Sequence, residues 1–70
     1  MKVMKVREVI KRIEADGWYC VRIRGDHRHY KHPTKLGIVT ISGQMRTDIP
    51  IGTLLSIFRQ AQIESESHNG

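Results

Sequence analysis

The sequence predicts an α+β domain of order α-β-β-β-α, a three-stranded antiparallel sheet with two helices on one face. Three observations carry this expectation. Apolar residues recur with a helical period near both ends of the chain. Between them the period drops to two, punctuated by turn residues. And 70 residues leave room for one small core, which two amphipathic helices and one sheet can close.

The first helix is expected over residues 4–16. Val6, Val9, Ile10 and Ile13 fall at i, i+3, i+4 and i+7 and form one apolar stripe. Arg7, Lys11, Arg12 and Glu14 lie off it, and Glu8 and Arg12 form an i, i+4 pair in the favourable order. Gly17 follows directly and suits the left-handed residue that ends a helix. Residues 18–24 then alternate. Tyr19, Val21 and Ile23 are expected to point one way, and Cys20, Arg22 and Arg24 the other. Arg24-Gly25-Asp26-His27 reads as a turn, since Gly and Asp tolerate positive φ. A second strand spans about 27–32 and stops at Pro33, which cannot donate to a ladder. Thr34-Lys35-Leu36-Gly37 turns the chain again. The β-branched run over 38–42 makes the third strand.

Residues 43–50 are expected to be a loop, with Asp48 or a neighbour capping the last helix and Pro50 in its first turn. Leu54, Ile57, Phe58 and Ala61 mark that helix's buried stripe, to about Gln62. The chain is thus expected to hold one domain over 1–63 and a polar, disordered tail over 64–70. No apolar run approaches the roughly 20 residues that span a bilayer. The charged, broken N-terminal segment is not expected to be a signal peptide. Cys20 is the single cysteine, so no disulfide can form within the chain, and a cytoplasmic setting is expected.

Twelve Lys and Arg oppose seven Asp and Glu, a formal charge of +5. The excess is uneven: residues 1–46 hold eleven basic and four acidic side chains. Such a distribution suits a polyanionic partner, nucleic acid above all. Strand periodicity says which side chains could meet it. If Val21, Ile23, Tyr30, Val39 and Ile41 face the helices, the open face carries Arg22, Arg24, His27, His29, Lys31 and Thr40. Arg28 and Lys35 are expected at its margins. A slip of one residue inverts a strand's set.

His27, His29 and His32 admit three readings. His27 and His29 with Cys20 could approach a metal ion, although zinc sites more often show recurrent Cys or His pairs. His32 before Pro33 could fill a turn, and His29 could be a plain strand residue. Or the cluster could act on a phosphodiester. Imidazole exchanges protons near neutral pH, guanidinium and ammonium groups hold phosphate oxygens, and RNA supplies a nucleophile in its 2′-OH.

The ordered motifs resemble one family. A helix ends in Gly17-Trp18; Arg24-Gly25-Asp26-His27-Arg28-His29-Tyr30 follows, with His32-Pro33 close behind. Then come Val39-Thr40-Ile41, Ile49-Pro50-Ile51-Gly52-Thr53-Leu54 and Ile57-Phe58-Arg59-Gln60-Ala61. Over about 4–63 the chain resembles HicA, the toxin half of HicA–HicB toxin–antitoxin modules. The resemblance implies a fold like that of double-stranded RNA-binding domains. It implies an endoribonuclease that cleaves mRNA and blocks translation, and a HicB-like antitoxin that neutralises it. The family's catalytic histidine, which follows Gly-Ser, maps to His27, with Asp26 in place of serine. Many relatives carry Pro-His after the third strand, where this chain has Ser42-Gly43. The expected assignment is His27 as metal-independent general acid/base. Arg22, Arg24, Arg28, His29, Lys31 and Lys35 are expected to hold RNA. No cofactor or metal is expected, and the free protein is expected to be monomeric. The alternative is a non-catalytic module that binds double-stranded RNA.

Overall fold

The computed structural model describes residues 3–63; the tail expected over 64–70 lies outside the described residues. The order is β1 (Met4–Lys5), α1 (Val6–Ala15), β2 (Tyr19–Arg24), β3 (His27–Lys31), β4 (Val39–Ser42), β5 (Asp48–Ile49) and α2 (Ile51–Gln60). The antiparallel sheet β2-β3-β4 and the two helices are the predicted α-β-β-β-α arrangement. Two short strands are additional. β1 pairs with β5 as a separate two-stranded sheet, taking residues that periodicity alone assigns to the first helix and to the 43–50 loop. Lys5 Nζ reaches Asp48 Oδ1 at 2.8 Å across this pair. Asp48 is therefore a strand residue in an ion pair rather than a cap: Pro50 precedes α2, and no side chain caps it.

The stripes of both helices meet the sheet in one cluster. Val6, Val9, Ile10 and Ile13 of α1 and Leu54, Ile57 and Phe58 of α2 pack with Trp18, Tyr30, Val39, Ile41, Ile49 and Ala61. The first donors of α1 are satisfied by the chain before β5: Val6 N–H donates to the Thr47 carbonyl (2.9 Å) and Arg7 N–H to that of Met45 (3.0 Å).

One expectation fails. Val21 and Ile23 do not enter the core; all six residues of β2 are exposed, Ile23 to 60%. Each helix has only ten residues, about 15 Å of length, and the buried residues of the three-stranded sheet come from β3 and β4 alone. The helices thus cover two strands and leave β2 as an open edge. A second departure lies within β2. The pairing runs Tyr19–Lys31 and Cys20–Tyr30, then shifts so that Arg22 pairs with His29, Ile23 with Arg28 and Arg24 with His27. Val21 is the extra residue of a β-bulge. It reverses the alternation upstream, so that Cys20 lies on the helix side opposite buried Tyr30 and Tyr19 lies on the open side.

Both helices end in the same way. Trp18 N–H bonds to Ile13 O and Gly17 N–H to Glu14 O; Ile63 N–H bonds to Phe58 O and Gln62 N–H to Arg59 O. These are Schellman motifs, with Gly17 at φ +113° and Gln62 at φ +58° in the left-handed position. The two ends are tied together. Trp18 Nε1 donates to the Ala61 carbonyl at 3.2 Å, and the Trp18 ring meets the His32 ring edge-on at 5.2 Å. His32 Nδ1 accepts the backbone N–H groups of Thr34 and Lys35, each at 3.1 Å. It therefore carries no proton in this arrangement, and Nε2 donates to the Asp16 carbonyl at 2.8 Å. His32 is a structural residue that staples the β3–β4 turn to the end of α1.

A methyl group at Gly17 would lie 2.8 Å from His32 Nε2, at a φ that L side chains rarely adopt. Gly17→Ala is expected to destabilise the fold by more than about 1 kcal/mol. A thermal melt should then show a Tm at least about 4 °C lower. Gly52→Ala meets open space inside α2 and is expected to stabilise by roughly 0.5–1 kcal/mol.

Candidate functional site

The open side of the sheet follows from the register, because residues directly opposite share a face. Tyr30 and Val39 pair and are buried, as is Ile41 opposite Arg28. The remaining rungs face outward. Arg24, His27 and Ser42 form the first; Arg22, His29 and Thr40 form the second; Tyr19 and Lys31 form the third. Arg22, Arg24, His27, His29, Lys31 and Thr40 are thus brought together on one surface that no helix covers.

The hairpin between β2 and β3 places His27. Gly25 takes φ +59°, the positive value that a two-residue II′ turn needs at its first central position. Asp26 follows, and its carbonyl accepts the Gly43 N–H at 3.0 Å, which fastens the turn to the end of β4. The Asp26 carboxylate lies 2.8 Å from His27, Oδ1 to Nδ1. A carboxylate only accepts, so Nδ1 carries the proton and donates it; in the neutral ring the lone pair is then at Nε2. The ring is 54% exposed. The guanidinium-bearing Arg24 is its partner on β2, and His29 is the next outward residue of β3. On the following rung His29 Nδ1 is 3.0 Å from Thr40 Oγ1, which sets that ring's orientation across the sheet. The arrangement can accept a proton at one oriented nitrogen and hold an anion with nearby guanidinium groups.

Two of the expected contact residues lie elsewhere. Arg28 pairs with Ile41 and Ile23, on the helix side, where it is half-buried. Lys35 is committed to the fold. Its ammonium donates to Asp16 Oδ2 (2.6 Å), to Gln62 O (3.1 Å) and to Ala61 O (3.4 Å). It thus sits where the C-termini of both helices converge, the end that favours a cation. Nor are the three residues of the metal reading assembled. Cys20 lies on the helix side, while His27 and His29 face out. Among the described residues no group of three or more His, Cys, Asp or Glu side chains is placed to hold a metal ion. Sequence reasoning missed Tyr19, which joins the open face as an exposed aromatic ring; only the bulge puts it there.

Residues 6–63 match the family model of the HicA toxin of bacterial toxin–antitoxin systems. The chain belongs to the HicA toxin family. Membership makes it the toxin member of a toxin–antitoxin pair and implies an antitoxin partner. No curated protein matches the chain. The HicA match spans nearly all the described residues, from the start of α1 to the Schellman turn that ends α2. No helix among those residues is long and apolar enough to cross a membrane.

The Lys35 clamp gives this HicA chain a measurable acid sensitivity. The hydrogen bond from Lys35 outweighs the opposing effect of partial burial and holds the Asp16 carboxyl below its ordinary value of 3.8. A carboxyl lowered by folding adds stability above its unfolded pKa and loses it as pH falls through the folded value. The stability gap between wild type and Asp16→Asn is therefore expected to be full near neutrality. It should close as the pH is taken below about 3.8, as followed by urea denaturation at each pH. A gap that persists unchanged in acid contradicts the clamp.

Proposed function

We propose that the chain is a metal-independent endoribonuclease that cleaves mRNA and blocks translation, with His27 as its general acid/base. The single observation that carries this reading is the 2.8 Å Asp26–His27 contact on the cationic, uncovered side of the sheet. Asp26 fixes the tautomer and the ring plane, so that Nε2 of the neutral ring is the nitrogen that can take a proton from substrate. In the reaction, Nε2 takes the proton of a ribose 2′-OH as that oxygen attacks the adjacent phosphorus. The bond from phosphorus to the 5′-oxygen breaks, leaving a cyclic 2′,3′-phosphate, and the departing oxygen takes a proton from water. Arg24 and Arg22 stabilise the charge that gathers on the phosphate oxygens. Lys31 and His29 extend the track for the RNA backbone. Asp26, which stands where the family has serine, acts through His27 and touches no substrate.

The reading places the protein in the cytoplasm, where mRNA is. It also explains how a HicB-like antitoxin can neutralise it: a partner that lays carboxylates over Arg22 and Arg24 occupies the phosphate site.

Wild type and His27→Ala are to be induced in cells at equal protein levels, and the purified proteins incubated with a transcript with and without EDTA. Wild type is expected to arrest growth and to cut RNA in EDTA. His27→Ala is expected to lose about 10²–10⁴ of the cleavage rate. Equal toxicity of the two proteins removes His27 from the mechanism, RNA left whole by wild type makes the chain a binding module, and loss of cutting in EDTA restores a metal. Asp26→Ala should lower the rate several-fold without raising the KM for RNA, since a carboxylate leaves the phosphate site.

Arg22→Glu and Arg24→Glu are each expected to weaken the antitoxin complex at low salt. For single-stranded RNA, replacing either arginine by Ala should flatten the log–log salt dependence by about 0.7 for each phosphate that is no longer neutralised. Unchanged slopes in both variants contradict the assigned RNA face.

A further inference from the structure

We propose that Tyr19 is a nucleobase-stacking subsite, which commits this face to single-stranded RNA; the proposal rests on the ribonuclease reading above. The bulge at Val21 turns Tyr19 outward, onto the rung occupied by Lys31. The ring is 50% exposed and takes no part in the buried cluster. Along β3, Lys31 and His27 are four residues apart, so the Tyr19–Lys31 rung lies roughly 13 Å from the histidine rung. Between them stands the Arg22–His29 rung. A nucleic-acid strand running along the sheet thus meets, in order, the general base, a guanidinium and an aromatic ring beside an ammonium.

That order discriminates between substrates. In a duplex the base faces are stacked and hidden, and an A-form helix is gripped by its backbone and 2′-OH groups. An unpaired strand exposes its π-faces, and a flat aromatic side chain beside a cationic track is the arrangement that captures them without regard to sequence. The base a few nucleotides from the cut then rests on Tyr19, while Lys31 holds the phosphate next to it. Stacking at that distance fixes which phosphate reaches His27. It also uses none of the hydrogen bonds that would impose a sequence preference.

The test is a binding cycle with a short 2′-O-methyl oligoribonucleotide, which offers no 2′-OH to attack. Wild type, Tyr19→Phe, Tyr19→Leu and Tyr19→Ala are each titrated with the parent oligonucleotide and with versions in which one abasic residue is walked along the strand. A blunt duplex of the same length is the control. Tyr19→Ala is expected to bind the single strand about fivefold or more weakly, Tyr19→Leu nearly as weakly, and Tyr19→Phe like wild type. At one position the abasic substitution should cost wild type a similar factor and cost Tyr19→Ala nothing further. Duplex binding should not change. Equal affinity of Tyr19→Leu and wild type, full additivity at every position, or a matching weakening on the duplex overturns the subsite. So does a Tyr19→Ala variant that binds RNA normally but loses only its antitoxin, which makes the ring a protein contact. Cleavage of an unmodified transcript by wild type is scored in parallel. If it cuts and the cycle shows no coupling, only the subsite falls; if it does not cut, the ribonuclease reading falls.

Discussion

Tyr30, Val39 and Ile41 are buried against α1 and α2, and their burial commits every alternate residue of β3 and β4 to the opposite side. Strand side chains alternate with a period of two, so β3 cannot slip by one residue without driving His29 or Lys31 into the core. Burying an unpaired charge or imidazole costs several kcal/mol. Packing the apolar face is thus also what presents His27, His29, Lys31 and Thr40 together. Burial pushes the Tyr30 phenol above its ordinary value, as expected for a hydroxyl held in the same apolar layer. The functional surface is not a cleft cut into the protein; it is the side of the sheet that two short helices cannot cover.

The edge strand obeys a looser rule. With no helix over it, β2 has no buried residue, and its register is set by β3 alone. This freedom accommodates the bulge at Val21. A bulge twists the strand and makes it a poorer template for pairing with another chain, while Arg22 and Arg24 place charge along the same edge. In this HicA family member the device that protects an open edge also changes the chemistry of the open face, since it exchanges Cys20 for Tyr19.

Charge alone was a poor guide to which cations face a partner. Lys35 in the β3–β4 turn and Arg22 within β2 are both basic residues, yet their surroundings differ completely. Lys35 meets three carbonyl or carboxylate oxygens where two helix C-termini converge. Arg22 meets solvent on the outer sheet. The same division runs through the histidines. His32, edge-on to Trp18 and hydrogen-bonded at both nitrogens, is fully engaged in the fold. His27 has one nitrogen held by Asp26, and the other has no partner among the described residues.

Local period and local turn chemistry were enough to place many elements from the residues alone. These are the stripes of both helices, the three strands of the meander, the Gly25-Asp26 turn, the Gly17 helix end, and an outward row running from Arg22 to Thr40. These are short-range effects, decided by residues within a few positions of one another. The folded arrangement was needed for whatever depends on partners far along the chain. It drew Met4–Lys5 and Asp48–Ile49 into a sheet of their own, left Val21 and Ile23 outside the core, turned Tyr19 to the open face and consumed Lys35 in the fold. The causes are where a helix ends, how far it reaches, a bulge in an uncovered strand and the pairing of segments distant in the chain, and no local pattern of residues encodes them.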